Sequence, residues 1–156
     1  MSDTKSLYND RILALAAGLA KDDRLKAPEV SVQVDSPLCG SRIRVDLTFE
    51  GDRVAAYGQQ VRACALGQSA AAIVRRHAVG ETEEGARTLR DRMKAMLKEG
   101  AGPPGGRWSE LEVLEPARDH KSRHASILLP FEALVRGFAE RAKNGPGDGA
   151  EKAEAS

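Results

Sequence analysis

Between residues 30 and 61 apolar and polar residues alternate in three successive runs, and after Val61 the repeat lengthens from two residues to about 3.6. That change constrains the fold more than any other feature. A period of two buries one face of a strand, whereas a period of 3.6 buries one side of a helix. The runs are Val30, Val32, Val34; then Ile43, Val45, Leu47, Phe49; then Arg53 to Val61. The first breaks at Asp35-Ser36-Pro37. The second ends at Glu50-Gly51-Asp52, and Gly51-Asp52 between two alternating runs is a hairpin signal. The expected sheet is a three-stranded antiparallel meander.

Helical spacing occupies the rest. Leu7, Ile12, Leu15, Ala16 and Leu19 mark an N-terminal amphipathic helix from Ser6 to Lys21, with Asp3 or Ser6 as its cap. Beyond Val61, Ala65, Ser69, Ala72, Ile73 and Val79 fall on one side of a helix rich in small residues, so it packs closely on something, and Gly80 stops it. Thr82-Glu83-Glu84 opens another helix, with acids at the favourable end and Lys94 and Lys98 near its close. A flexible break from Gly100 to Gly106 follows, then one short helical segment from Trp108 to Leu114 that Pro116 ends. Ile127, Leu128, Phe131, Leu134, Val135 and Phe138 make a long amphipathic helix from Ser126 to Lys143, able to cover the sheet. The expected class is α+β, a three-stranded antiparallel sheet with about five helices packed on it. Residues 1–143 read as one domain, and 144–156, polar and without a large hydrophobe, as a disordered tail.

A chain of 156 residues has room for one core. Its 24 Lys and Arg against 23 Asp and Glu leave a formal charge of +1, too little to draw the whole chain onto nucleic acid or an anionic membrane. The apolar stretch Ile12 to Ala20 is too short to span a bilayer and has no basic leader before it, so a cytoplasmic location is expected. Two cysteines in such a setting do not suggest a disulfide framework. The thiols therefore invite a chemical explanation.

Cys39 lies in Ser36-Pro37-Leu38-Cys39-Gly40, a turn between strands in which glycine lets the backbone bend close to a bound group. Cys64 falls where the third strand hands over to the small-residue helix, whose unpaired amides and positive dipole end favour a thiolate. His124 stands in the same relation to the last helix, beside a loop that carries Asp119 and His120. Two sulfurs and an imidazole at three element ends can converge in an α+β sandwich, giving a metal or sulfur site. The residues also fit a duller reading, a buried small hydrophobe and a hydrogen-bonded histidine. A nucleophilic Cys64 with His124 as its base is a third reading, without a nucleophile motif or an orienting third group to support it. Elsewhere, Arg75, Arg76 and His77 read as a solvated helix end, and Arg87, Arg90, Arg92, Lys94 and Lys98 as a solvated helix face. Trp108 reads as an anchor packed by the last helix.

Three blocks in order carry a family resemblance. Ser36-Pro37-Leu38-Cys39-Gly40 is similar to an Asn/Ala-Pro-x-Cys-Gly-Asp loop, and Cys64-Ala65-Leu66-Gly67-Gln68-Ser69-Ala70-Ala71 to a Gly-Cys-Ala-Ile-Ser-x-Ala-Ser helix start. Arg123-His124-Ala125-Ser126-Ile127-Leu128, followed by Glu132-Ala133-Leu134, is similar to a closing Ile-His-Cys-Ser-Ile-Leu and Ala-Leu motif. With these blocks the chain resembles the U-type iron-sulfur cluster scaffolds, the group of IscU, SufU and the N-terminal domain of NifU, over roughly two thirds of its length.

The resemblance implies a SufE/NifU-like sandwich and a scaffold that is not an enzyme. Such a scaffold binds iron or a transient 2Fe-2S cluster, accepts sulfur from a cysteine desulfurase and serves cluster-accepting proteins, as a monomer or weak homodimer without nucleic acid or membrane. Its implied metal ligands here are Cys39, Cys64 and His124. Two positions depart from the pattern: Ser41 replaces the first-loop Asp and Ala125 the third Cys. Ser41, Asp119 and His120 are then the accessory candidates, and water can instead complete a zinc site in a SufU-like sulfur-transfer protein. A metal-free interaction module of the assembly machinery is the remaining alternative. The family's proline-rich chaperone segment is reduced to Leu114-Glu115-Pro116-Ala117-Arg118. Ligation by imidazole would make metal binding acid-labile, because the ring must be neutral to donate its lone pair.

Overall fold

The computed structural model describes residues 9–20, 22–36 and 40–143. Within these, strands β1 (Asp22–Asp23), β2 (Val30–Ser36), β3 (Ser41–Glu50) and β4 (Arg53–Arg62) form one antiparallel sheet in the order β1-β4-β3-β2. The three expected strands are present and the α+β class holds. The fourth is an addition: Asp22 and Asp23 pair with Gln60 and Gln59 at the edge. Two consecutive aspartates are too short a run to show any alternation, so hydrophobic periodicity could not reveal them. At the expected hairpin Glu50 pairs with Arg53 across Gly51-Asp52, and Gly51 adopts φ +63°, which a side chain would resist.

Alternation places Val30, Val32, Val34, Ile43, Val45, Leu47, Tyr57 and Val61 in the core. Among the described residues there are four α-helices, α1 (Asp10–Ala17), α2 (Ala65–His77), α3 (Glu83–Glu99) and α4 (His124–Lys143); α2 and α4 lie on the sheet, with α1 packed on α2 and α3 on α4. Helix α4 lies directly on β2 and β3, flanked by α2 and α3. Gly137 makes the approach possible, since a Cβ there would run into Leu47 Cδ1. Phe138 adds a tilted ring contact with Phe49 at 5.0 Å between centroids.

Caps set the helix ends. Helix α1 begins later than Ser6 because Asn9 accepts a hydrogen bond from Ile12 N at 3.0 Å; Asp3, Ser6, Leu7 and Lys21 lie outside the described residues. Thr82 caps α3 through Gly85 N at 3.1 Å, and Gly100 ends it at φ +77°. The segment after the Gly100–Gly106 break is not a short α-helix stopped by Pro116. It is a 3-10 run, Gly106–Asp119, with Pro116 inside it. Trp108, Leu111, Leu114 and Ala117 recur every third residue and are all buried, which is the side-chain period of a 3-10 helix and not of an α-helix.

This run also changes the surroundings of α2's end. Trp108 is anchored by its indole N–H to Glu81 Oε1 at 2.8 Å and by an edge contact with the His77 ring. His77 and Arg76 both bind Glu110, so the end of α2 is tied down and not simply solvated. Burial pushes the Glu110 carboxyl up, but the hydrogen bonds from His77 and Arg76 outweigh it and hold the group below the usual carboxylate range. Lys94 similarly leaves its own helix face to pair with Glu132 of α4 at 3.0 Å. The tail expected at 144–156 lies outside the described residues.

On the opposite face of the sheet, Asp46 is fully buried under the segment that follows β1. Arg24 grips it with two bonds of 2.8 Å, Leu25 N donates at 3.0 Å, and Ser31 Oγ donates as well. Gly58, opposite Asp46 on β4, leaves the room: a Cβ would stand 2.8 Å from Asp23 O and Leu25 N. Burial pushes the Asp46 carboxyl up, but the bonds from Arg24, Ser31 and Leu25 hold it below its ordinary value. A depressed carboxylate adds stability that is fully present above the unfolded value, near pH 4, and is lost as pH falls through the folded one. Arg24→Ala should therefore cost about 2 kcal/mol at pH 7, by stranding a buried charge. Urea titrations should show that difference shrinking as the pH approaches 3.

Candidate functional site

The strands β3 and β4 and the helices α2 and α4 bring one end of each to the same corner of the molecule. Gly40 marks the turn before β3, with φ +73° and its N–H on Ser36 O at 2.9 Å. Cys64 is the N-cap residue of α2, in extended conformation, and its side chain caps no amide. A serine or aspartate in this place would turn its side chain back on the helix. The thiol instead remains half-buried and available.

Its neighbour is Ser126, in the first turn of α4, with Oγ 3.6 Å from Cys64 Sγ. Ser126 Oγ lies 3.1 Å from Ser41 Oγ on β3, and both serines are buried. Gly67 explains how α4 comes so near α2. A Cβ at that position would fall on Ser126 Oγ and lie 2.8 Å from Ala63 Cβ. Around Cys64 opens a cleft of about 290 Å³ lined by Gly40, Ser41, Arg62, Arg123 and Ser126 among others, with no Asp or Glu among the lining residues.

His124 begins α4 and is 3% exposed. Its Nε2 sits 3.0 Å from Ala117 O and 3.1 Å from Arg118 O. A ring nitrogen facing two carbonyls carries the proton, so Nδ1 holds the lone pair when the ring is neutral. Metal-binding imidazoles are commonly oriented in this way, through the nitrogen that does not bind the metal. His124 is not among the residues that line the cleft, although Arg123 and Ser126 on either side of it are. Asp119 is exposed; His120 is half-buried, with its Nε2 unpartnered among the described residues. Ala125 is exposed, and Cys39 lies outside the described residues.

Of the sequence candidates, the structure thus brings Cys64 and Ser41 to one cleft. Among the described residues no three His, Cys, Asp or Glu side chains gather to hold a metal. A tetrahedral zinc site asks for at least three protein donors. The described donors do not supply them. Ser126, Gly67 and Arg62 are site residues that sequence reasoning passed over. Gly67 did carry a signal, because a glycine inside a helix costs about 1 kcal/mol relative to alanine unless close packing requires it.

The chain superposes on the crystal structure of a nitrogen-fixing NifU-like protein, N-terminal part, from Brucella abortus. The TM-score is 0.88 and the identity 36%, over 92% of this chain and 100% of that one. It also superposes on a candidate iron-sulfur cluster assembly scaffold protein of the SUF system from Fervidobacterium islandicum. There the TM-score is 0.76 and the identity 15%, over 85% and 96% of the two chains, a likeness of fold. No family model and no curated protein matches the sequence.

Replacing an ordinary helix glycine by alanine is stabilising, by up to about 1 kcal/mol. Gly67→Ala should do the reverse, because the added methyl forces α2 and α4 apart, and a loss of about 1–3 kcal/mol is expected from overpacking. Thermal melts of the variant check the sign.

Proposed function

Because the chain belongs to the U-type iron-sulfur cluster scaffold family, with the NifU-like N-terminal domains, we propose that it is a scaffold on which iron and sulfide are assembled and passed on. The cluster is cargo, held briefly and released. Cys64 is the central residue of the reading: it receives sulfur from a cysteine desulfurase and holds iron, aided by Cys39 from the β2–β3 turn and by His124. The observation that carries the proposal is the position of the Cys64 thiol. It occupies a helix cap without capping, beside two serine hydroxyls, at a cleft open enough for an inorganic ligand to enter.

The two departures from the family pattern bear on how firmly cargo is held. Ser41 offers a hydroxyl where a carboxylate would ligate, and Ser126 already engages it at 3.1 Å. Ala125 offers nothing. With three protein donors in place of a closed set of four, water or a partner's side chain must complete the coordination, which favours transfer over retention. The same losses support a second reading, a metal-free interaction module that modulates the assembly machinery. On this reading residues 1–143 act as one cytoplasmic domain that is not an enzyme.

Anaerobic purification followed by elemental analysis and an absorption spectrum tests the proposal. Iron and sulfide with visible bands are the expected result. Stoichiometric zinc would identify the SufU-like sulfur-transfer form, and absence of all three would support the interaction module. Cys64→Ser should reduce bound iron about tenfold or more, at least the effect of removing a group that only orients a ligand. His124→Ala should lower bound metal at least as much as Cys39→Ser, and unchanged metal content in His124→Ala would remove the imidazole from the site.

A further inference from the structure

The charge of the Cys64 cleft differs from that of the chain. The whole sequence carries a formal charge of +1, yet the residues lining the cleft include two arginines, Arg62 and Arg123, and no Asp or Glu. Neither arginine has an ion-pair partner among the described residues. Their neighbours differ in this respect. Arg42, directly opposite Arg62 in the register of β3 and β4, is bound to Asp35 at 2.7 Å, and Arg44 is held by Gln33 at 3.0 Å. Two arginines without an ion-pair partner among the described residues, in a cleft also lined by a cysteine and two buried serines, suit that cleft to a small anion.

We propose that Arg62 and Arg123 determine the specificity of this cleft, admitting a terminal persulfide anion as the donor to Cys64. The proposal rests on the reading of Cys64 as a sulfur acceptor and adds the means of recognition. In the exchange the Cys64 thiolate attacks the donor's terminal sulfur. The donor's S–S bond breaks, its electron pair leaves on the inner sulfur as a thiolate, and Cys64 carries the new S–S bond and the terminal negative charge. Cys64 sulfur is oxidised, the donor's inner sulfur is reduced, and total charge is conserved. Two anions must approach within bonding distance for this to happen, and without nearby cations their repulsion opposes the encounter. The guanidinium groups offset that repulsion and raise the local concentration of the anionic donor.

Charge-matched labelling tests the proposal apart from cluster assembly. Cys39→Ser leaves Cys64 as the only thiol. In that background, the rate of alkylation by anionic iodoacetate is divided by the rate with neutral iodoacetamide, which reports access and thiolate content without any effect of reagent charge. Adding Arg62→Gln and Arg123→Gln should lower the ratio about threefold to tenfold, and raising the salt to about 1 M should do the same to the parent. The pair Arg62→Lys and Arg123→Lys keeps the charge and should retain most of the ratio. A jump in the iodoacetamide rate would flag an unfolded variant, in which case the single arginine variants and the salt series decide. Sulfur loading is then read as the mass gain of one sulfur atom. Arginine-dependent loading from free cysteine persulfide assigns the cleft to a dissolved donor; arginine-dependent loading only from a protein-borne persulfide assigns it to a docked one. Either upholds recognition by charge. A labelling ratio and a loading rate indifferent to both arginines and to salt would overturn it, while leaving the iron and sulfide content of the wild-type protein to judge the scaffold reading on its own.

Discussion

The close approach of α4 to α2 at Gly67 is the contact on which this structure's chemistry depends. A helix interior tolerates glycine at a cost, and here the missing side chain is replaced by Ser126 of the neighbouring helix. That substitution of one helix's volume for another's puts a hydroxyl beside the Cys64 sulfur and, through Ser41, couples the strand that follows the first cysteine loop to the helix that follows the second. Gly137 acts in the same way a few turns later, seating α4 on Leu47. The long helix is thereby fixed at two points, one towards α2 and one towards the sheet. Its first turn cannot slide without disturbing both.

Charge is distributed with a similar division of labour. Asp46, which the fold buries, and Glu110, which it half-buries, are satisfied by arginine, histidine, hydroxyl and backbone donors far along the chain, and both keep their charge more readily than a free carboxylate. They fasten the segment after β1 to the outer sheet and the 3-10 run to the end of α2. The cleft has cations and no acid on its lining. A nearly neutral chain can therefore present a sharply basic pocket, because net charge averages over groups that the fold separates.

The sheet was legible because the inner residues of β2 and β3 alternate, Val30 to Val34 and Ile43 to Phe49, and α3 because Thr82 and Gly100 mark its ends. The family was legible from three short blocks that keep their order. Other features left weaker traces. Strand β1 has two residues, fewer than any periodic pattern needs. The 3-10 run buries Trp108, Leu111, Leu114 and Ala117 at every third position, a spacing that differs from an α-helix by too little over two turns to show in the sequence, where Pro116 reads as a stop. Cys64, His124 and Ser41 stood out by residue type. Ser126 did not, since its role arises from a neighbour sixty-two positions away and from a glycine that looks unfavourable when its helix is considered alone.

The bare N-cap at Cys64 has an evolutionary consequence. Serine, aspartate or asparagine in that position would close an open amide and strengthen α2 by about 1 kcal/mol. Selection for thermal robustness alone would thus erode the thiol, and on the scaffold reading the helix keeps its weaker form because that sulfur is used. Stability and duty pull this one position in opposite directions, as they do wherever a reactive group occupies a place that folding would fill differently.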